Sequence, residues 1–294
     1  MKNVKYIFCL VICLGMMNGV MAQSSTDLSA LEKQLCLIQD TLYTLRQNYS
    51  CTNDAYCDSL QRSFSVLLEE LCAADKGMEY DFKELKKKER QFTVAASADG
   101  TMRVFSRNTY FGGSMPRFAS YIQHKDEGQS CFFRMNGEDD MGVCYDTVYS
   151  VLAADKRYYL LAGTSRIATA YPLASMQAVC CRNGKMEKEA IFVSDNRQTD
   201  YLSVSYRAAQ EDIDARLFIG NNDSTFPRIV YIGTHEEILK PVVVRDKDGE
   251  EYVSREIEVY KLERDGDKIK FISNKVGKQG KMVSHPISRT IKQQ

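Results

Sequence analysis

The chain has 294 residues, 39 basic and 39 acidic side chains, 44% hydrophobic residues and no tryptophan. A balanced charge creates no long-range attraction to nucleic acid or to an anionic membrane surface, so neither is an expected partner. The length and apolar fraction supply enough buried surface for one large domain or two small ones.

Lys2 and Lys5 precede an apolar run from Tyr6 to Met17, and Val20-Met21-Ala22 follows before Gln23. A basic start, an apolar centre and a small-residue cleavage site are the parts of a secretory signal peptide, here residues 1–22. The run falls short of the ~20 apolar residues that span a bilayer, and no second run of that kind follows. The mature chain is therefore expected to be exported, periplasmic or extracellular, without a membrane span. Cys9 and Cys13 leave with the signal. Cys36, Cys51, Cys57, Cys72, Cys131, Cys144, Cys180 and Cys181 remain, and an even set in an exported chain points to disulfides.

Residues 23–91 are predicted to form a helical hairpin. Leu28, Leu31, Leu35, Ile38, Leu42 and Leu45 recur at three- and four-residue steps, the seam of an amphipathic helix, with Ser24, Ser25 or Thr26 available to cap it. A second series runs through Leu60, Phe64, Leu67, Leu71, Ala74, Met78, Phe82 and Leu85, with Gly77 as a place where it can break. Cys51 and Cys57, and also Cys36 and Cys72, lie symmetrically about residue 54. Equal distances from a turn put residues at one level on facing helices, so these are the expected disulfide pairs. A zinc site is the alternative, but its ligands usually stand two to four residues apart, which these do not. The charged run from Lys83 to Arg90 is interrupted by Glu84 and Glu89 and reads as a solvated helix face.

From residue 92 to 294 the pattern changes to short alternating, β-branched and aromatic runs. Strands are predicted at 92–96, 102–106, 117–123, 130–135, 147–153, 158–162, 175–181, 190–194, 201–206, 216–219, 228–232, 239–245, 257–262 and 268–272. Asp99-Gly100, Asn136-Gly137, Asn183-Gly184, Asp248-Gly249 and Asp265-Gly266 punctuate them, and such dipeptides favour tight hairpins. The expected class is α+β, a disulfide-pinned antiparallel helical hairpin followed by a mainly antiparallel meander. That meander is a sandwich or an irregular barrel, with a small propeller as the alternative. Cys131 and Cys144 flank the 136–142 loop as a further disulfide candidate, whereas Cys180 and Cys181 point to opposite faces of a strand.

Catalytic signatures are missing. There is no Gly-x-Ser-x-Gly, and His124, His235 and His285 are the only histidines. His235-Glu236-Glu237 lacks the second histidine of a zinc protease. Asp246-Lys247-Asp248-Gly249 has its glycine at the wrong place for a calcium loop. Glu138, Asp139 and Asp140 form the densest acidic loop, and loop carboxylates are what a glycosidase-like hydrolase would use. No catalytic, cofactor or metal-ligating residue is assigned, and no cofactor is expected.

The segment Ser97-Ala98-Asp99-Gly100-Thr101-Met102-Arg103-Val104-Phe105-Ser106, with Thr109 and Gly112-Gly113-Ser114-Met115 after it, resembles a motif of uncharacterised secreted proteins of Bacteroidetes-type bacteria. Those proteins read Ser-x-Asp-Gly-x-x-Arg-Ile-Tyr-Ser-Trp-Asp-Thr-x-x-Gly-Gly-Thr-Met. The present chain has Arg107-Asn108 in place of Trp-Asp. The resemblance implies export and a β domain, and no activity. Arg103, Arg107 and Asn108 become candidates for a surface site. The expected function is that of an exported, non-enzymatic binding protein for a protein or glycan partner; the alternative is a hydrolase of envelope or dietary polymers.

Overall fold

The computed structural model describes residues 27–47, 54–74, 76–88, 91–111, 116–126, 129–135, 142–168, 171–205, 228–245, 247, 249 and 251–274. The signal peptide, Cys51, Gly112-Gly113, the acidic loop 138–140, the strand predicted at 216–219 and His285 lie outside these residues. So do Asp246 and Asp248.

Asp27 starts the first helix, α1 (Leu28–Gln47). Its Oδ1 accepts hydrogen bonds from the amides of Ser29 at 3.0 Å and Ala30 at 3.2 Å, satisfying donors that a helix N-terminus leaves free. The cap is thus Asp27, one residue after the expected ones. In α2 (Asp54–Ala73) the apolar stripe faces that of α1. Leu31 and Leu35 cluster with Phe64, Leu68 and Leu71, and Leu42 clusters with Cys57 and Leu60. Early residues of one helix therefore meet late residues of the other, about a pivot near residues 50–51.

That pivot corrects the cysteine register. Cys36 is level with a residue near 65, and Cys72 lies about seven positions further along, roughly 10 Å away at 1.5 Å per residue. Cys36, Cys72, Cys131, Cys144 and Cys180 are free thiols. The expected Cys36–Cys72 bridge is not formed, nor is Cys131–Cys144, whose members belong to different sheets.

The second helix also stops earlier than its periodicity suggests. It ends at Ala73 and gives way to a 3-10 turn, Gly77–Glu79, and a short helix, α3 (Lys83–Lys86). Lys76 and Phe82 sit at φ 59° and 48°, left-handed values that cannot continue a right-handed helix. The chain also folds back onto the end of α2, since a Cβ on Gly77 would lie 2.8 Å from the Cys72 carbonyl oxygen and closer still to that of Leu71.

Glu32 of α1 holds the returning segment. Its Oε1 accepts from the amides of Glu84 and Leu85 at 2.8 and 3.0 Å, and its Oε2 from the Tyr80 hydroxyl at 2.6 Å. Glu32 is buried, so Glu32→Ala strands three donors in the interior and is expected to cost about 3 kcal/mol in denaturant unfolding. A loss below about 1 kcal/mol would show that water replaces the carboxylate.

Among the described residues fifteen strands follow: β1 (Phe92–Ala96), β2 (Met102–Asn108), β3 (Phe118–Asp126), β4 (Gln129–Arg134), β5 (Cys144–Ala153), β6 (Lys156–Ala168), β7 (Tyr171–Arg182), β8 (Lys185–Lys188), β9 (Phe192–Ser194), β10 (Arg197–Thr199), β11 (Tyr201–Ser205), β12 (Val230–Ile232), β13 (Glu237–Arg245), β14 (Glu251–Asp265) and β15 (Lys268–Asn274). They make three sheets, ordered β1-β2-β3-β4, β11-β7-β6-β5 with β8 also on β7, and β10-β9-β15-β14-β13-β12. Pairing is antiparallel except between β15 and β9. No sheet closes on itself among the described residues, which removes the barrel reading. Asn183 and Gly184, both at positive φ, form the tight turn between β7 and β8 that their dipeptide predicts. The polar strands β8 and β10 were not foreseen, because neither carries an apolar alternation.

The sheets stack, and the helices cover the first. Phe92, Phe105, Ala119 and Tyr121 join the helical leucines in one core. From the other face of that sheet, Met102, Val104 and Ile122 meet Tyr145, Tyr159 and Leu161 of the second. The second sheet's opposite face, with Tyr158, Leu160 and Met176, packs on Phe192, Tyr260 and Phe271 of the third. Burial on both faces explains the continuous run Tyr158-Tyr159-Leu160-Leu161-Ala162, each 3% exposed or less. The helices and the first sheet share one core.

Candidate functional site

Alternation along β2 sends Met102, Val104 and Ser106 toward the second sheet, and Arg103, Phe105 and Arg107 toward the helices. Two arginines therefore enter the layer between helices and sheet. Arg103 is 7% exposed and Arg107 0%, which corrects their expected place on the surface.

Arg103 is fully engaged. Its Nε and one terminal nitrogen donate to Gln123 Oε1 at 3.1 and 2.6 Å, the other terminal nitrogen donates to the Tyr80 carbonyl at 2.6 Å, and Gly77 O accepts as well. The guanidinium lies over the paired rings of Phe82 and Phe105, 5.2 and 5.5 Å from their centroids. Gln123 in turn donates to the Cys72 carbonyl at 2.8 Å. One side chain on β2 thus ties the end of α2, the 3-10 turn and β3 together. Asn108 ends the strand: its Oδ1 accepts from the Tyr110 amide at 2.8 Å, an Asx turn, and its carbonyl accepts from Gln39 Nε2 at 3.0 Å.

Arg107 is different. Its carbon lies 4.5 Å from the Phe64 ring centroid, and none of its three nitrogens has a hydrogen-bond acceptor. Gln39 and Gln61 approach the same stretch of chain, with Gln39 Nε2 donating to the Gln91 and Asn108 carbonyls at 3.4 and 3.0 Å and Gln61 Nε2 to Thr109 O at 2.7 Å. These glutamines escaped notice in the sequence, although each stands inside an apolar helical stripe, Gln39 four residues after Leu35 and Gln61 three before Phe64. A polar residue within such a stripe was the available signal.

The Asp99-Gly100 turn anchors a second polar chain, between the first and second sheets. Asp99 Oδ1 accepts from the Ser97 and Thr101 hydroxyls, both at 2.6 Å, and Oδ2 lies 3.2 Å from Arg157 Nε. Thr101 Oγ1 is 2.7 Å from the Tyr159 hydroxyl, which is 3.0 Å from His124 Nε2. Burial pushes the Asp99 carboxyl up, but the bonds from Ser97 and Thr101, with Arg157, outweigh it and hold it at about 2 instead of 3.8. A depressed carboxyl stabilises the fold fully above its unfolded range and loses that contribution as pH falls through its folded value. The stability gap between the wild type and Asp99→Asn is therefore expected to shrink from pH 5 to pH ~2. A gap constant over that window refutes the assignment.

Four of the thiols are poor nucleophiles. Burial pushes Cys36 and Cys180 up to about 11, and Cys72 and Cys144 up to about 12, whereas reactive cysteines are depressed. His124 is enclosed in the core, and His235 lies 3.1 Å from Thr234 Oγ1 in an exposed turn. Each meets a hydroxyl, His124 that of Tyr159 and His235 that of Thr234, and the two histidines belong to different sites. Among the described residues no three His, Cys, Asp or Glu side chains converge as metal ligands, and no helix is long and apolar enough to cross a membrane. Comparison with family models, curated proteins and solved structures finds no match to this chain.

Proposed function

We propose that the protein is exported after cleavage near Ala22 and acts as a non-enzymatic interaction protein, with the helical layer as its contact surface. The observation that carries this reading is the outward face of the helix pair. Leu37 of α1 and Val66 of α2 are 56% and 62% exposed, although the same helices bury a full apolar stripe on their inner side. About the pivot near residues 50–51 the two stand at similar levels, and Tyr43, 41% exposed, follows along α1. Large apolar side chains held in water on a rigid layer suit a protein partner. The resemblance of residues 97–115 to secreted bacterial proteins supports export.

The test joins localisation with binding. N-terminal sequencing of protein recovered from cell fractions should begin at Gln23 in an extracytoplasmic fraction. Cross-linking there should give a defined adduct that Leu37→Asp/Val66→Asp abolishes while the melting temperature stays unchanged. An uncleaved cytoplasmic chain, an adduct indifferent to the double variant, or hydrolysis of envelope or dietary polysaccharide by the purified chain would each overturn the reading.

A further inference from the structure

The layer between the helices and the first sheet holds two guanidiniums with opposite fates. Arg103 has acceptors for its nitrogens; Arg107, wholly buried, has none. A guanidinium cannot relieve this by losing its proton, and a buried charge without partners is costly. The side-chain oxygens of Gln39, Gln61 and Gln91 and the Tyr110 hydroxyl are buried without a hydrogen-bond partner as well, and Tyr110 lies within reach of the Arg107 charge. Proximity follows from the backbone: Gln39 and Gln61 grip the carbonyls of residues 91, 108 and 109, the Asn108 amide donates to Gln91 O at 2.8 Å, and Arg107 pairs with Phe92 across β1 and β2.

The orientation of Gln39 and Gln61 is set by those grips, because flipping either amide would place oxygen against oxygen. Unused donors and unused acceptors thus stand in the same layer. An anion would suit the guanidinium and face the carbonyl oxygens; a cation would do the reverse. A hydroxylic molecule accepts from one set and donates to the other.

We propose that this interior site binds water molecules, bridging Arg107 to Gln39, Gln61 and Gln91, and that hydration in place of a counter-ion is what allows the cation to be buried here. An atomic-resolution crystal structure of the full chain, with a parallel bromide soak read by anomalous scattering, tests this. Two or more ordered waters are expected, each within hydrogen-bond distance of an Arg107 nitrogen and a glutamine oxygen, with no bromide peak. In solution, the Arg107 side-chain NH signals should show cross-peaks to long-lived water. A bromide peak beside Arg107, or direct bonds from Arg107 to a glutamine or a carboxylate with no water between them, would overturn it.

Discussion

Gly163→Ala is expected to lower unfolding stability by about 3 kcal/mol or more, a large effect for one methyl group. Gly163 lies on β6 opposite Tyr145, next to the bulge that separates Tyr145 from Thr147 on β5. A Cβ there would fall on the Cys144 carbonyl oxygen and 2.7 Å from Tyr145 Cα. Both neighbours are backbone, so no rotamer change relieves the overlap. Nor can β5 simply retreat, because its first residues are bonded to the first sheet. The Tyr145 amide donates to Ser106 Oγ at 3.0 Å, Tyr145 O accepts from Thr93 Oγ1 at 3.1 Å, and Val143 O accepts from Ser120 Oγ at 2.9 Å. Relief of the clash therefore breaks the contact between two sheets. Gly233→Ala is the control, as its Cβ would meet only the Tyr231 ring at 3.7 Å, and it should be neutral within about 0.5 kcal/mol. Equal denaturation midpoints for the two variants would remove the argument.

Arg103→Ala should cost about 3–5 kcal/mol, since it takes the guanidinium donors from Gly77 O, Tyr80 O and Gln123 Oε1 and leaves a gap against the Phe82 and Phe105 rings. Arg103→Lys should recover little, because an ammonium at the end of a flexible chain cannot span the three acceptors. The opposite sign is expected two repeats of the alternation away, at residue 107. Arg107→Met removes a buried charge that bonds no protein acceptor and keeps contact with Phe64. It should leave stability unchanged or raise it by about 1–2 kcal/mol. Denaturant unfolding of the three variants checks the contrast, and hydrogen exchange adds a second reading: Arg103→Ala should deprotect residues 77–85 before the strands. Comparable losses at 103 and 107 would refute the difference drawn between them.

Local rules were legible in the sequence wherever local forces decide the outcome. The leucine series located α1 and α2, and Asn183-Gly184 placed its hairpin. Such features depend on helical period, strand alternation and positive φ, all of which involve residues close along the chain. The second helix shows where this ends. Its apolar series continues to Leu85, yet left-handed residues at Lys76 and Phe82 turn the chain back, and the segment is held by Glu32 and Arg103 from distant elements. Cysteine symmetry misled for a related reason. A shift of the pivot by about three residues doubles on the facing helix, which separates Cys36 from Cys72 although both lie near the seam.

The candidate site was less legible. Arg103, Arg107 and Asn108 were marked by the motif-like stretch around them, but a charged side chain on a strand reads as exposed until both faces of its sheet are known to be covered. By itself the sequence determined a helical start, a change to strands near residue 92, and the turns between many of them. Only the tertiary structure decided that three sheets stack under a helical layer. That stacking turns the alternating side chains of β2 into two interiors, so that Arg103 becomes a tie between layers and Arg107 a buried cation against Phe64. The reason is physical: period and turn chemistry act between neighbours in the chain, whereas burial, hydrogen-bond satisfaction and close backbone approach depend on which distant surfaces meet.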